Sequence, residues 1–178
     1  MSNILDLLRK RRSVRRFTER PVEQEKINLL MEAVVRSPSS KGRNPWDFIF
    51  VVESQQKKRL AEAKPRGGNF VAEAPLAVVV CADPEKCDVW VEDCSIAAII
   101  LQLTAQQLGL GSCWSQIRQR NHENGRRSSD YLRAVLDLPE GYEVEAVVGI
   151  GYPAEQKTGH DRQGLPWNRI HQERFNPS

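Results

Sequence analysis

Arg11-Arg12-Ser13-Val14-Arg15-Arg16-Phe17 places four guanidiniums and one hydroxyl within six consecutive positions. That is more donor capacity than a solvated turn needs. A guanidinium meets a phosphate or carboxylate through a planar fork, and a serine hydroxyl adds one more donor. The stretch is read as an anion-gripping hook. A basic turn facing solvent is the plainer reading, and short charge runs usually have that fate. The segments around it decide between the two.

Those segments fit one globular domain, spanning residues 1–178, with 40% hydrophobic residues to build a core. The net charge is only +3, so positive charge matters where it clusters and not over the whole surface. A nucleic-acid groove would spread basic residues over a face with aromatics between them, whereas here the cluster is local. No apolar run reaches the ~18 residues of a membrane span, and Met1–Lys10 lacks the apolar stretch of a signal peptide. Cys81, Cys87, Cys94 and Cys113 form no CxxC pair. They are read as buried thiols in a reducing, cytoplasmic setting. His122, His160 and His171 have no metal-ligand spacing, so no metal is expected.

Upstream of the hook, Ile4, Leu5, Leu7 and Leu8 predict a short amphipathic helix capped by Ser2 or Asn3. Downstream, Pro21-Val22-Glu23 opens a second helix whose apolar stripe is Ile27, Leu30, Met31, Val34 and Val35. Pro38 to Trp46 reads as a fixed loop with free hydroxyl donors. Phe48–Val52, Leu76–Cys81, Ser112–Ser115 and Val144–Ile150 are predicted strands. Ser54–Ala63 and Asp130–Leu136 are predicted helices, and Gln116–Arg127 an exposed loop. The longest helix, Val89–Leu108, carries two apolar stripes: Ile96, Ile99, Ile100 and Leu103, then Ala97, Leu101, Ala105 and Leu108. Two apolar faces mean burial on two sides. The pattern leaves open whether the second side meets the same chain or another subunit. The polar tail from residue 154 to 178 reads as an arm lying on something. This order of mixed elements is α+β, with helices covering a small sheet.

Taken in order, these pieces resemble the nitroreductase family of FMN-dependent oxidoreductases. The matching motifs are the hook itself, Pro21-Val22, Ser37-Pro38-Ser39-Ser40 with Asn44-Pro45-Trp46, and Asp93-Cys94-Ser95 at the start of the long helix. They continue with Leu108-Gly109-Leu110-Gly111-Ser112-Cys113-Trp114, Leu138-Pro139-Glu140-Gly141-Tyr142 and Gly149-Ile150-Gly151-Tyr152-Pro153. Each is weak alone, and together they span nearly the whole chain.

The resemblance implies an intertwined homodimer around a mainly antiparallel sheet, with two FMN molecules at the subunit interface and the arm 154–178 packed on the partner. It implies that Arg11, Arg12 and Ser13 hold the FMN phosphate and ribityl end. Arg15 would lie at the N1 and O2 edge of the ring, where a fixed cation stabilises the charge of the reduced flavin. Pro38, Ser39 and Ser40 would reach the flavin from the other subunit. Gln116 and Ile117 would bring a main-chain N–H near N5, and Arg162 would add a basic phosphate contact. NADH or NADPH would donate hydride to the flavin, and a small acceptor such as a nitroaromatic or quinone would then take it. No protein acid or base is nominated. Gly42 stands where many relatives have Asn, and the lid region is short, which leaves the acceptor open. Rival expectations are another flavin reaction on the same scaffold, reductive dehalogenation or flavin breakdown, and a basic nucleic-acid-binding module.

Overall fold

A computed structural model describes residues 3–175. Strands β1 (Trp46–Val51), β2 (Leu76–Ala82), β3 (Gly111–Gln116) and β4 (Glu143–Gly151) form one sheet in the order β1-β2-β4-β3. Every neighbouring pair is antiparallel. The central strands β2 and β4 are buried almost throughout, because helices cover both faces. That is why Leu76–Ala82 reads as a continuous apolar run and not as an alternation.

Alternate residues of β2 serve opposite layers. Leu76, Val78 and Val80 face α2 (Gln24–Val35) and α5 (Trp90–Gln107), meeting Leu30, Val34, Ala98 and Leu101. Ala77, Val79 and Cys81 face α3 (Ser54–Ala61), α4 (Phe70–Glu73) and α6 (Ser128–Val135), meeting Leu60, Phe70 and Leu132. The result is the expected α+β sandwich.

Helix α1 (Ile4–Lys10) is capped by Asn3, whose side chain accepts the Asp6 N–H at 2.9 Å. The alternative cap, Ser2, lies outside the described residues. Some boundaries and faces differ from expectation. Helix α4 is a single turn that no periodicity announces. Gln116 ends strand β3 instead of opening a loop. In the α2 stripe, Ile27, Leu30 and Val34 are buried, while Met31 and Val35 sit at the surface because the sheet meets only the narrower face.

The two stripes of α5 differ in burial, with Ile100, Leu103 and Leu108 half-buried between them. Ala97, Leu101 and Ala105 are buried against the sheet. Ile96 and Ile99 point outward, 40% and 39% exposed. The arm beyond Ala154 holds only short 3-10 turns, and Trp167, Ile170 and Phe175 are 50%, 65% and 76% exposed. Among the described residues, no helix is long and apolar enough to cross a membrane.

Candidate functional site

The hook leaves α1 in extended conformation, with Arg11 at φ −60°, ψ 129°. It lies beside the start of β3: Ser13 bridges to Ser112 in parallel, and the Val14 N–H donates to the Ser112 carbonyl at 3.0 Å. An extended segment alternates its side chains. Val14 turns inward, so close to Gly111 that a Cβ there would lie 2.8 Å from the Val14 Cβ. Arg11, Ser13 and Arg15 take the other side and gather near Cys113. Burial pushes the Cys113 thiol up, while Arg15, the Ser13 hydroxyl, Lys157 and Arg11 pull against it.

Arg12 turns the opposite way. It shares a cavity of about 410 Å³ with Val14, Leu110 and Gly111, and its guanidinium donates to the Thr158 carbonyl of the arm. The arm also secures the hook. Lys157 Nζ donates to the Ser13 carbonyl at 2.7 Å and pairs with Glu155 at 2.9 Å. Glu155 in turn accepts from the hook's main chain. Lys157 and Glu155 were missed from sequence. Their one signal is a Glu-x-Lys spacing just after Pro153.

Arg162 is not in this cluster. The arm crosses α1 at Gly159, so close to the Arg9 carbonyl that any side chain there would collide. Arg162 lies beyond the crossing, with Arg9, His160 and Trp167 around a cavity of about 460 Å³. Its guanidinium stands 5.7 Å from the centre of the Trp167 ring.

Gln116 is three residues along β3 from Cys113, a span of about 10 Å. Its side chain is fully engaged: Trp114 Nε1 donates to Oε1 at 2.9 Å, and Nε2 donates to the Arg118 carbonyl and to Glu145, both at 3.2 Å. The Ile117 N–H donates to the Glu145 carbonyl at 3.0 Å, so this amide is used within the chain. Lys64 Nζ donates to the Gln116 carbonyl at 3.4 Å. Burial, and then Arg120, lower the Lys64 pKa. Lys64 opens onto a cavity of about 490 Å³ that Asn69 and His122 also line.

The Pro38–Ser40 loop belongs to the opposite end of α5. Ser40 N–H donates to the buried Asp93 carboxylate at 3.0 Å, near the helix start. Ser39 Oγ exchanges hydrogen bonds with Asn44 at 2.7 and 2.9 Å. Gly42 has φ +64°, a left-handed position that glycine takes without strain. The hook, by contrast, shares its cavity with Gln106 and Gly109 at the helix end. Asp93 and Gln106 are about 20 Å apart along the axis at 1.5 Å per residue. One chain alone does not bring Pro38, Ser39 and Ser40 to Arg11 and Arg15.

The sequence model of the Nitroreductase family matches residues 8–90 and 64–152. The chain belongs to the nitroreductase family. Among solved structures, this nitroreductase-family chain is similar to an FMN-dependent nitroreductase from Clostridium difficile R20291. The two are 41% identical with a TM-score of 0.94, over 96% of this chain and 99% of the other. It is 33% identical to an Archaeoglobus fulgidus protein with the provisional name NADH dehydrogenase/NAD(P)H nitroreductase, covering 98% of this chain and 100% of that one. It is 26% identical to the FMN reductase [NAD(P)H] of Bacillus subtilis, over 98% of this chain and 75% of that one.

Proposed function

We propose that two copies of this chain bind FMN between them and use NAD(P)H to reduce a small acceptor such as a quinone or nitroaromatic. The observation that carries this is that Arg11, Ser13 and Arg15 share one side of an extended hook bridged to the start of β3, with Lys157 holding the Ser13 carbonyl. The cluster suits the group: a phosphomonoester carries nearly two charges and several acceptor oxygens, and here meets forked donors on a backbone held by the sheet. About 10 Å further along β3 the chain supplies a polar, hydrogen-bonded exit at Gln116. That spacing suits a ligand with its phosphate at the hook and its ring beside Gln116.

When bound, FMN would supply the redox chemistry, carrying hydride equivalents between the nicotinamide and the acceptor. The chain's own residues bind and orient. Arg11 and Ser13 hold the phosphate end, and Arg15 sets a positive charge at the pyrimidine edge of the ring. Arg12 ties the arm to the hook. Pro38, Ser39 and Ser40 reach the same flavin from the partner.

Several features support the dimer. The outward stripe of α5 (Ile96, Ile99) and the exposed Ile4, Leu5 and Leu8 of α1 present apolar surface to solvent in a single chain. The half-sites at the two ends of α5 would be joined by a partner lying antiparallel to it. Residues 154–159 of the arm pack on their own hook and α1, so in this reading it is the outer part, with Trp167, Ile170 and Phe175 exposed, that packs on that partner.

Initial-rate kinetics test the reaction. Varying NADPH or NADH at several fixed quinone concentrations should give parallel double-reciprocal lines. Intersecting lines would require both substrates on the enzyme at once and would contradict the reading.

A further inference from the structure

Strand β4 carries a bulge at Glu145. Val80 pairs with Ala146 and Cys81 with Val144, so Glu145 has no partner on β2. Bulges re-aim a side chain, and they are common beside active sites. Here the bulge turns a carboxyl inward, leaving Glu145 only 4% exposed.

Its contacts run to one place. Oε1 accepts from Gln116 Nε2 at 3.2 Å, and the main-chain carbonyl accepts the N–H groups of Ile117 and Arg118 at 3.0 and 3.1 Å. Oε2 is buried with no hydrogen-bond partner among the described residues. Burial, with Glu92 on α5 adding to it, pushes the carboxyl above its ordinary range, while the Gln116 hydrogen bond and then Arg118 pull against the rise. Cys94, also on α5, feels the same carboxyl.

A buried acid with a spare oxygen is a poor way to stabilise a strand. An apolar side chain of equal volume would continue the Val144-to-Ile150 run without the desolvation cost. What the carboxyl does hold is the exit of β3. Trp114 holds the Gln116 amide from its oxygen side, and Glu145 Oε1 and the Arg118 carbonyl share its nitrogen side, each taking one Nε2 proton.

We propose that Glu145 is a positioning residue for flavin reduction. Its carboxylate supplies the second Nε2 acceptor that fixes the Gln116 side chain, and with it the exit of β3, in the geometry that meets the reactive edge of the ring. The proposal rests on the reading above that the flavin lies along β3.

The test compares Glu145→Met, which keeps the volume and removes the acceptor, with Glu145→Gln, which keeps an acceptor oxygen. Wild-type protein that holds no flavin would overturn the underlying reading and this step with it, whereas the two variants bear on this step alone. With flavin bound, Glu145→Met should keep wild-type flavin content and melting temperature. Its flavin should be reduced by saturating NADH roughly tenfold more slowly, the scale of one lost hydrogen bond to a buried group, with KM unchanged. Its midpoint potential should move, and Glu145→Gln should restore both rate and potential. Wild-type rate and potential in Glu145→Met would overturn the proposal. So would failure of that variant to fold, because the acid would then be structural, and so would a Glu145→Gln that rescues nothing.

Discussion

Glu155 Oε1 accepts the main-chain N–H groups of both Arg15 and Arg16, at 2.7 and 3.3 Å. A carboxylate from the arm thus pins the strand that carries the cationic hook. It satisfies two amides that no sheet neighbour reaches and leaves the Arg15 side chain free to point at a ligand. Lys157, 2.9 Å from the same oxygen, completes the clamp.

This arrangement predicts an acid limit. The Arg15 N–H, then Lys157, hold the Glu155 carboxyl at a pKa of about 2, below its ordinary 4.5. A depressed carboxyl stabilises the folded state fully above its unfolded pKa and loses that contribution as pH falls through the folded one. The thermal midpoint of the wild type should therefore fall more steeply than that of Glu155→Gln between about pH 4.5 and pH 2. The variant should be the less stable at neutral pH, and the curves should converge in acid. Curves that stay parallel would remove Glu155 from the clamp.

Arg11 and Arg15 should separate affinity from potential. Arg11→Ala loses a charge-assisted contact and should weaken FMN binding by ~1.5–3 kcal/mol, roughly 10- to 150-fold. Arg15→Ala should lower the flavin midpoint potential more than it lowers affinity, since its charge acts on the reduced ring. Flavin titration and spectroelectrochemistry on the two variants read the two effects apart.

Gly111 is a packing requirement of the hook. An added Cβ would meet the Val14 Cβ, Cγ1 and Cγ2 at 2.8 to 2.9 Å, and a β-branched side chain has little room to rotate away. Gly111→Ala should cost about 1–3 kcal/mol of stability. Adding Val14→Ala should recover part of it, as measured by denaturant unfolding.

What the sequence could convey followed the physics of each element. The strands were legible because Leu76–Cys81 and Val144–Ile150 are apolar beyond what a surface element tolerates. The order of small motifs carried the family, and the cationic stretch at Arg11–Arg16 marked the anion end. Side-chain direction was not legible. Arg11 and Arg12 look equivalent as letters, but one extended residue sends them to opposite sides. Met31 and Val35 keep helical spacing with Ile27 and Leu30, yet the sheet covers only part of that face. Glu155, Lys157 and Glu145 gain their roles through contacts 29 to 144 residues apart in sequence, which no local pattern records.

The outward face of α5 should hold the dimer together. Ile99→Glu places a charge in that apolar stripe, where a paired helix would have to bury it at a cost of several kcal/mol. Sedimentation velocity should show the wild type as a dimer and the variant shifted toward a single chain, with flavin lost in parallel. A variant that stays dimeric and yellow would move the interface elsewhere.

The visible absorption spectrum of the purified protein, recorded anaerobically during titration with NADH and then NADPH, goes to the centre of the account. Two chains sharing two equivalent sites should carry one FMN per chain, and its absorbance should bleach with one equivalent of the preferred nucleotide. A protein that is colourless as purified, and stays so with added FMN, would contradict it.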